Sequence, residues 1–160
     1  MPHTRPTTDI AKEGLFNILQ NNLEIPSLVT LDLFGGTGCI SYELASRGAG
    51  DLTIVEKDPV MYDFIKKTAA EFGFENFKLV KSEVFKFIEN CTEKYDFIFA
   101  GPPYALATID DLPIKIFEKK ILNPKGWFVL EHTPRNNYKQ FDHYKTERSY
   151  GTTIFSIFIM

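Results

Sequence analysis

The sequence contains little cysteine and no excess of positive charge, and both shortages exclude classes of function. The two cysteines, Cys39 and Cys91, are far apart and belong to no CxxC or His/Cys spacing, so neither a zinc site nor a disulfide framework is expected. A reducing cytoplasm fits this use of cysteine. The 18 Lys and Arg residues against 21 Asp and Glu residues give a formal net charge of −3. Such a chain has no general basic surface for holding nucleic acid, and any positive charge that binds a polyanion must be local.

Long apolar runs, internal repeats and low-complexity segments are also missing. No run of about eighteen apolar residues and no signal-peptide pattern is present, so we expect a soluble cytoplasmic protein with no membrane partner. The 160 residues are 44% hydrophobic and include 15 Phe and 7 Tyr, which is enough apolar material for one core. We therefore expect residues 1–160 to form a single domain.

Hydrophobic periodicity predicts that strands and helices alternate along the chain. An amphipathic helix follows the capping oxygens at 7–9, and a glycine turn joins the next strand to a second helix. The apolar runs at 97–100 and 127–130 are typical of parallel strands covered by helices on both faces. The predicted strands are 28–34, 52–55, one ending at 79–80, 97–100 and 127–130, and the predicted helices are 7–22, 39–47, 59–72 and 84–91.

The end of the chain breaks this alternation. Residues 143–150 and 153–160 are rich in β-forming residues and are separated by a short turn at Gly151, so these two strands are antiparallel. The predicted fold is a Rossmann-like α/β fold with a seven-stranded, mostly parallel sheet, a C-terminal antiparallel hairpin and helices on both faces. This order of elements resembles the class I S-adenosylmethionine-dependent methyltransferases and is unusual for a dehydrogenase domain.

A glycine turn at 32–38, Asp-Leu-Phe-Gly-Gly-Thr-Gly, lies where Rossmann-type sheets bind nucleotides. A dinucleotide pattern would need a third glycine at Ser41, and it would place Asp32 beside a negative pyrophosphate. Both features disfavour NAD. An acid at this point suits a ligand with a cation, such as the amino group of S-adenosylmethionine. Glu56, at the end of the second strand, is placed to accept both hydroxyls of a ribose, although a solvated strand end is the simpler interpretation.

Two further segments follow predicted strands at the same edge of the sheet. Ser82 and Glu83 are placed to reach the amino group of an adenine, but Glu83 is equally suited to cap the helix that follows. His132 follows the fifth strand, where it is placed to orient a substrate, and a structural role is the favoured interpretation. No Ser/His/Asp or Cys/His set has a supporting context, so we expect no covalent mechanism.

Gly101-Pro102-Pro103-Tyr104 follows the fourth strand and is the predicted catalytic loop. Proline has no N–H and a nearly fixed φ, so the loop offers carbonyl acceptors in a rigid frame. Such acceptors suit an exocyclic amine, because they hold its hydrogens and direct its lone pair towards an electrophilic methyl group. Tyr104 provides a flat face on which a base can stack. The alternative is a strand-ending turn with a partly buried tyrosine.

The opening segment Arg5-Pro6-Thr7-Thr8-Asp9, with Lys12-Glu13 and 15–17 after it, resembles the R-P-T-T-D segment and first helix of the RsmD-type 16S ribosomal RNA guanine-N2 methyltransferases. The resemblance covers nearly the whole chain. It implies a cytoplasmic enzyme that uses S-adenosylmethionine and acts on 16S rRNA or the small ribosomal subunit. It also implies a monomer without metal.

The resemblance implies roles residue by residue. The implied catalytic residues are Gly101, Pro102, Pro103 and Tyr104, and Arg5 and Tyr104 are the implied substrate-binding residues. The implied cofactor-binding residues are Thr7, Asp32, Phe34, Gly36, Gly38, Glu56, Lys57, Ser82 and Glu83.

The chain departs from the family pattern at three places. Gly101 replaces the usual Asp of the loop, so the side-chain acceptor for the amine is missing. Asp110, Asp111 or Glu131 is a candidate substitute carboxylate, and the sequence does not choose among them. Glu83 replaces a more usual Asp. The family's basic N-terminal β-hairpin is expected to be absent, since only four residues precede Arg5, and a truncated or unusually short member is expected.

Three other functions remain open from the sequence. One is an amino-methyltransferase that acts on adenine N6 in DNA or on another amine. A second is a cofactor-binding ribosome assembly protein without catalysis, which the loss of the loop Asp and of the hairpin would favour. An NAD-linked oxidoreductase is the third, and Ser41 and the C-terminal hairpin disfavour it.

Overall fold

The structure is a computed structural model and describes residues 7–74 and 77–160. Helices and strands alternate up to the fifth strand, after which two strands follow in succession. The helices are α1 (Asp9–Asn22), α2 (Cys39–Ser46), α3 (Pro59–Glu71), α4 (Val84–Asn90) and α5 (Asp111–Glu118), with a short 3₁₀ turn at Ile25–Ser27. The strands are β1 (Val29–Leu33), β2 (Asp51–Glu56), β3 (Phe77–Lys81), β4 (Tyr95–Ala100), β5 (Leu122–His132), β6 (Tyr144–Tyr150) and β7 (Thr153–Ile159).

The seven strands form one sheet in the order β3-β2-β1-β4-β5-β7-β6. The pairs among β1 to β5 are parallel, whereas β7 is antiparallel to both β5 and β6. The predicted fold is therefore confirmed. Because β1 and β4 are neighbours without being consecutive in the chain, the order of strands reverses between them, and ligands bind at this kind of switch point in open α/β sheets.

Two apolar cores cover the two faces of the sheet. On one face α1 and α2 pack on residues such as Phe97, Phe99 and Val129. On the other face α4 and α5 pack on the alternate positions, including Ile98, Ala100 and Leu130. This division follows from the strand geometry, since successive side chains point to opposite faces. Within the described residues, no helix is long and apolar enough to cross a membrane.

Local sequence signals determine most helix boundaries. The Thr8 hydroxyl accepts a hydrogen bond from the Ala11 N–H and begins α1, and Asp58 caps α3 immediately before Pro59. Helix α5 was absent from the prediction. It has eight residues and contains Pro113, and it is held by the complete burial of Leu112 and Ile116.

Candidate functional site

A cleft opens at the carboxyl edge of the sheet, where β1, β2, β4 and β5 end. Its lining combines the glycine turn, the end of β2, the loop after β4 and one residue of β5. The predicted site residues that line it are Thr7, Asp32, Phe34, Gly36, Glu56, Lys57, Glu83, Gly101, Pro102 and Pro103. Gly38, Ser82 and Tyr104 lie outside this lining, and Arg5 lies outside the described residues.

The glycine turn forces the backbone into conformations that bring it close to the sheet. Phe34, Gly36 and Gly38 all have φ in the left-handed region, at 61°, 58° and 83°, and the positive φ of Phe34 is unusual for a residue with a side chain. A Cβ atom at Gly35 would lie 2.5 Å from Cγ2 of Ile54. Only glycine fits at that position, because the turn packs directly on β2.

Asp32 is a buried carboxyl group on β1 that faces the cleft. It is 3% exposed, and the Ser41 hydroxyl donates to its Oδ2 at 2.8 Å. Burial raises the pKa of Asp32 from 3.8 to about 7; the hydrogen bond from Ser41 opposes this rise, and the nearby Glu56 adds to it. A ligand with a positively charged group would therefore find a buried counter-ion here.

Glu56 connects the glycine turn to the loop after β2. Its Oε1 accepts from the Gly36 N–H at 2.7 Å, and its Oε2 accepts from the Asp58 N–H at 2.9 Å. Glu56 is thus a partly buried strand end whose two oxygens each hold a backbone N–H group in place. A carboxylate has about four acceptor positions, so these two bonds are compatible with the predicted bonds from ribose hydroxyls.

Glu83 caps a helix, which was one of the two roles that the sequence suggested for it. Its carboxylate accepts hydrogen bonds from the Phe85 and Lys86 N–H groups and caps α4. The Ser82 hydroxyl donates to the Glu83 carbonyl at 2.9 Å. The helix cap is confirmed, and the contact of this pair with adenine stays a prediction.

The loop after β4 begins with Gly101, whose neighbours show what a side chain would meet there. A Cβ atom on Gly101 would lie 3.1 Å from Cε2 of Phe99 and 3.5 Å from Oε1 of Glu131. Tyr104 follows Pro103 with its side chain 48% exposed. The loop therefore borders the cleft with backbone and proline rings, and a carboxylate from the next strand lies beside it.

Glu131, one of the three candidate substitute carboxylates, lines the cleft. It is 1% exposed at the end of β5, and the Thr7 hydroxyl donates to its Oε1 at 2.6 Å. Asp110 instead accepts from the Tyr138 hydroxyl at 2.8 Å, and neither Asp110 nor Asp111 lines the cleft. In the sequence, Glu131 directly follows the apolar run 127–130 that predicts a buried strand. In the structure this strand is β5, which pairs with β4.

His132 is structural, as the favoured interpretation predicted. Its Nδ1 donates to the Thr133 carbonyl at 2.8 Å, which leaves Nε2 to accept from the Ser156 hydroxyl at 2.7 Å. Burial lowers the pKa of His132 and favours this neutral form. Across residues 7–74 and 77–160, no group of three or more His, Cys, Asp or Glu side chains is arranged to hold a metal ion.

Comparisons with known proteins find related sequences and related folds. Ribosomal RNA small subunit methyltransferase D of Buchnera aphidicola subsp. Baizongia pistaciae is 26% identical over 152 residues, covering 90% of this chain and 77% of that protein. The solved Escherichia coli protein yhhF superposes with a TM-score of 0.85 at 23% identity, covering 99% of this chain and 88% of the other. An RNA methyltransferase from Salinibacter ruber, solved in complex with S-adenosyl-L-homocysteine, gives a TM-score of 0.73 at 17% identity, covering 97% and 93%.

Both structural likenesses establish the fold. A family model described as Conserved hypothetical protein 95 matches residues 1–159. The chain therefore belongs to this family, which is the RsmD family that its opening segment and motifs resemble.

Proposed function

We propose that this protein transfers a methyl group from S-adenosylmethionine to the exocyclic N2 amine of a guanine in 16S ribosomal RNA. One observation carries the proposal: a single cleft contains both the glycine turn with Asp32 and Glu56 and the loop from Gly101 to Pro103. A ligand held by the first set thus lies next to an acceptor held by the second.

The residues on the cofactor side fit S-adenosylmethionine. Asp32 is a buried carboxyl group suited to the amino cation of the methionine part, and burial costs this group its charge unless a cation is near. Glu56 is held by the N–H groups of Gly36 and Asp58 so that its oxygens face the cleft. Apolar side chains such as Ile40, Val84 and Leu106 complete the lining and suit a flat adenine ring.

Methyl transfer to an amine needs positioning more than acid or base chemistry. When bound, S-adenosylmethionine would supply a sulfonium-activated methyl group for the amine nitrogen, the sulfur would keep the electron pair of the broken carbon–sulfur bond, and the proton of the methylated amine would pass to water or a nearby acceptor. In this proposal carbonyl groups of the loop accept the amine hydrogens and the base stacks on Tyr104, whose side chain is half exposed after Pro103.

Relatives support the ribosomal substrate. The Buchnera aphidicola protein is named Ribosomal RNA small subunit methyltransferase D, and the Salinibacter ruber structure contains S-adenosyl-L-homocysteine, the product of methyl donation. We extend the substrate of the first and the ligand of the second to this chain, and the choice of guanine N2 comes from the resemblance of the R-P-T-T-D segment and the Pro-Pro-Tyr loop.

The test is transfer of labelled methyl from S-adenosylmethionine into small ribosomal subunits that lack the modification. Subunits that already carry it, naked 16S rRNA and DNA are assayed in parallel. We expect label only in the unmodified subunits or their RNA, recovered as N2-methylguanosine after digestion. Label in adenine of DNA would replace the proposal with an amino-methyltransferase of another substrate. Tight cofactor binding without transfer to any acceptor would replace it with a non-catalytic role.

A further inference from the structure

The loop after β4 has no side-chain acceptor at its first position, because that residue is Gly101. A target amine has two hydrogens, and both must be held if its lone pair is to point at the methyl group. Backbone carbonyls supply neutral acceptors, whereas an ionised carboxylate forms hydrogen bonds of about twice the strength. The question is therefore whether another residue brings a carboxylate to the same point.

Strand register brings Glu131 to that point. Ala100 on β4 pairs with Leu130 on β5, so Gly101 and Glu131 follow at the same level on neighbouring parallel strands. Both positions face the side of the sheet that Phe99 and Val129 face, since side chains alternate along a strand. The distance of 3.5 Å between Oε1 of Glu131 and a Cβ built on Gly101 shows how close the carboxylate lies.

Thr7 fixes the orientation of this carboxylate. Its hydroxyl donates to Oε1 of Glu131 at 2.6 Å, so the carboxylate is the acceptor in this bond. A carboxylate has about four acceptor positions on two oxygens, and a bond from a substrate amine is compatible with the bond from Thr7. Both residues line the cleft, and Glu131 is 1% exposed, where water screens such bonds least.

We propose that Glu131 accepts a hydrogen bond from the target amine beside Gly101, and that Thr7 is the positioning residue for its carboxylate. This inference rests on the proposed methyl transfer. Glu131 thereby performs, at the end of β5, the task for which Gly101 has no side chain. It is also placed to receive the proton that the amine loses, because one of its oxygens already accepts that hydrogen.

The test compares Glu131→Gln with the wild-type protein and with Asp110→Asn in the methyl-transfer assay. Glutamine keeps the shape and one acceptor oxygen, but it carries no charge and has a donor in place of the second oxygen, so it binds the amine hydrogen more weakly and cannot take up the proton. We expect kcat to fall about 100-fold or more, as for loss of one preorganised hydrogen-bonding group. The affinity for S-adenosylmethionine and the melting temperature are expected to stay close to wild type. Asp110→Asn, which retains an acceptor for Tyr138, is the matched control with unchanged kcat.

Thr7→Val provides a second, milder test that leaves the carboxylate of Glu131 in the protein. We expect a fall in kcat of about tenfold, because the carboxylate loses the hydrogen bond from Thr7 that orients it. Unchanged kcat in both variants would overturn the role of Glu131 while leaving the proposed function intact. If Glu131→Gln unfolds, the result for Thr7→Val decides. An inactive wild-type protein would instead overturn the proposed function.

Discussion

An aspartate lies near each end of the central strands, and the two carboxyl groups differ in their burial and in their hydrogen bonds. Asp96, at the amino end of β4, accepts from the Val29 N–H and from the Asn123 side-chain amide, both at 2.9 Å. Its donors thus come from the start of β1 and of β5, and the carboxylate joins three neighbouring strands. Asp32, near the carboxyl end of β1, is more deeply buried, and its pKa is raised to about 7.

This difference separates a structural carboxylate from one that is available to a ligand. The donors around Asp96 compensate its removal from water, so the group stabilises the sheet. The Ser41 hydroxyl does not fully compensate the burial of Asp32, since the pKa stays raised. A positively charged ligand would supply the missing compensation. The burial of Asp32 lowers the stability of the free protein, and a cation bound beside the carboxylate would regain this free energy as ligand affinity.

The largest expected effect comes from Asp32→Asn. Loss of the counter-ion should weaken S-adenosylmethionine binding about 100-fold, the size expected when one partner of a buried charge pair is truncated. The same change should raise the free energy of unfolding at pH 8 by up to about 4 kcal/mol, because no buried charge must form. Calorimetric titration and urea unfolding at pH 8 measure the two quantities. A loss of both affinity and stability would contradict the inference that the buried charge of Asp32 destabilises the free protein.

The wild-type protein should show the titration of Asp32 directly. Between pH 4 and pH 7 the native carboxyl group keeps a proton that the unfolded chain, with a pKa of 3.8, has lost. The native state therefore binds more protons, and the contribution of Asp32 to stability falls as pH rises through this range. Cofactor affinity should change in the opposite direction and rise about tenfold from pH 5.5 to 7, where an α-amino group stays charged. In Asp32→Asn, used as the control, this rise in affinity should vanish.

At the other end of the strands, Asp96→Ala should affect stability alone. Removal of the carboxylate leaves the Val29 N–H and the Asn123 amide without this acceptor, at a cost of about 1–3 kcal/mol in the free energy of unfolding. Cofactor affinity, measured at a temperature where the variant is folded, should stay within about threefold of wild type. A large loss of affinity would show that the two ends of the strands are coupled.

The smallest effect is expected for Glu83→Gln. A glutamine oxygen can still accept from the Phe85 N–H and cap α4, so the free energy of unfolding should change by less than about 1 kcal/mol. Cofactor affinity should change no more than about threefold if capping is the main task of this side chain. A loss of tenfold or more in the same titration would instead assign Glu83 to the adenine, as the resemblance implies.

The sequence was most informative where local patterns decide structure. The glycine turn, the helix that begins at Pro59 and the antiparallel hairpin all follow from neighbouring residues, and all were predicted. Helix α5 was missed because it is short and interrupted by Pro113, and its stability comes from burial of Leu112 and Ile116. Tertiary packing of this kind leaves only a weak local signal.

The site was less predictable, for a related reason. Glu131 and Gly101 are thirty positions apart, and only the pairing of β4 with β5 shows that the two residues are neighbours. The sequence offered no reason to choose among the three candidate carboxylates, and it did not reveal the contact of Asp110 with Tyr138. Motifs thus located the edge of the sheet, whereas the register of the strands shows which of these carboxylates lies beside Gly101.

The hydrogen bond between Thr7 and Glu131 joins residues that are 124 positions apart, and this separation has a consequence for the order in which a growing polypeptide acquires its parts. During synthesis the glycine turn and Glu56 emerge early, whereas the carboxylate that Thr7 orients emerges more than seventy residues after Glu56. Closing so long a loop is slow compared with forming local structure. A nascent chain would therefore form the glycine turn and its bond to Glu56 well before it forms the bond between Thr7 and Glu131.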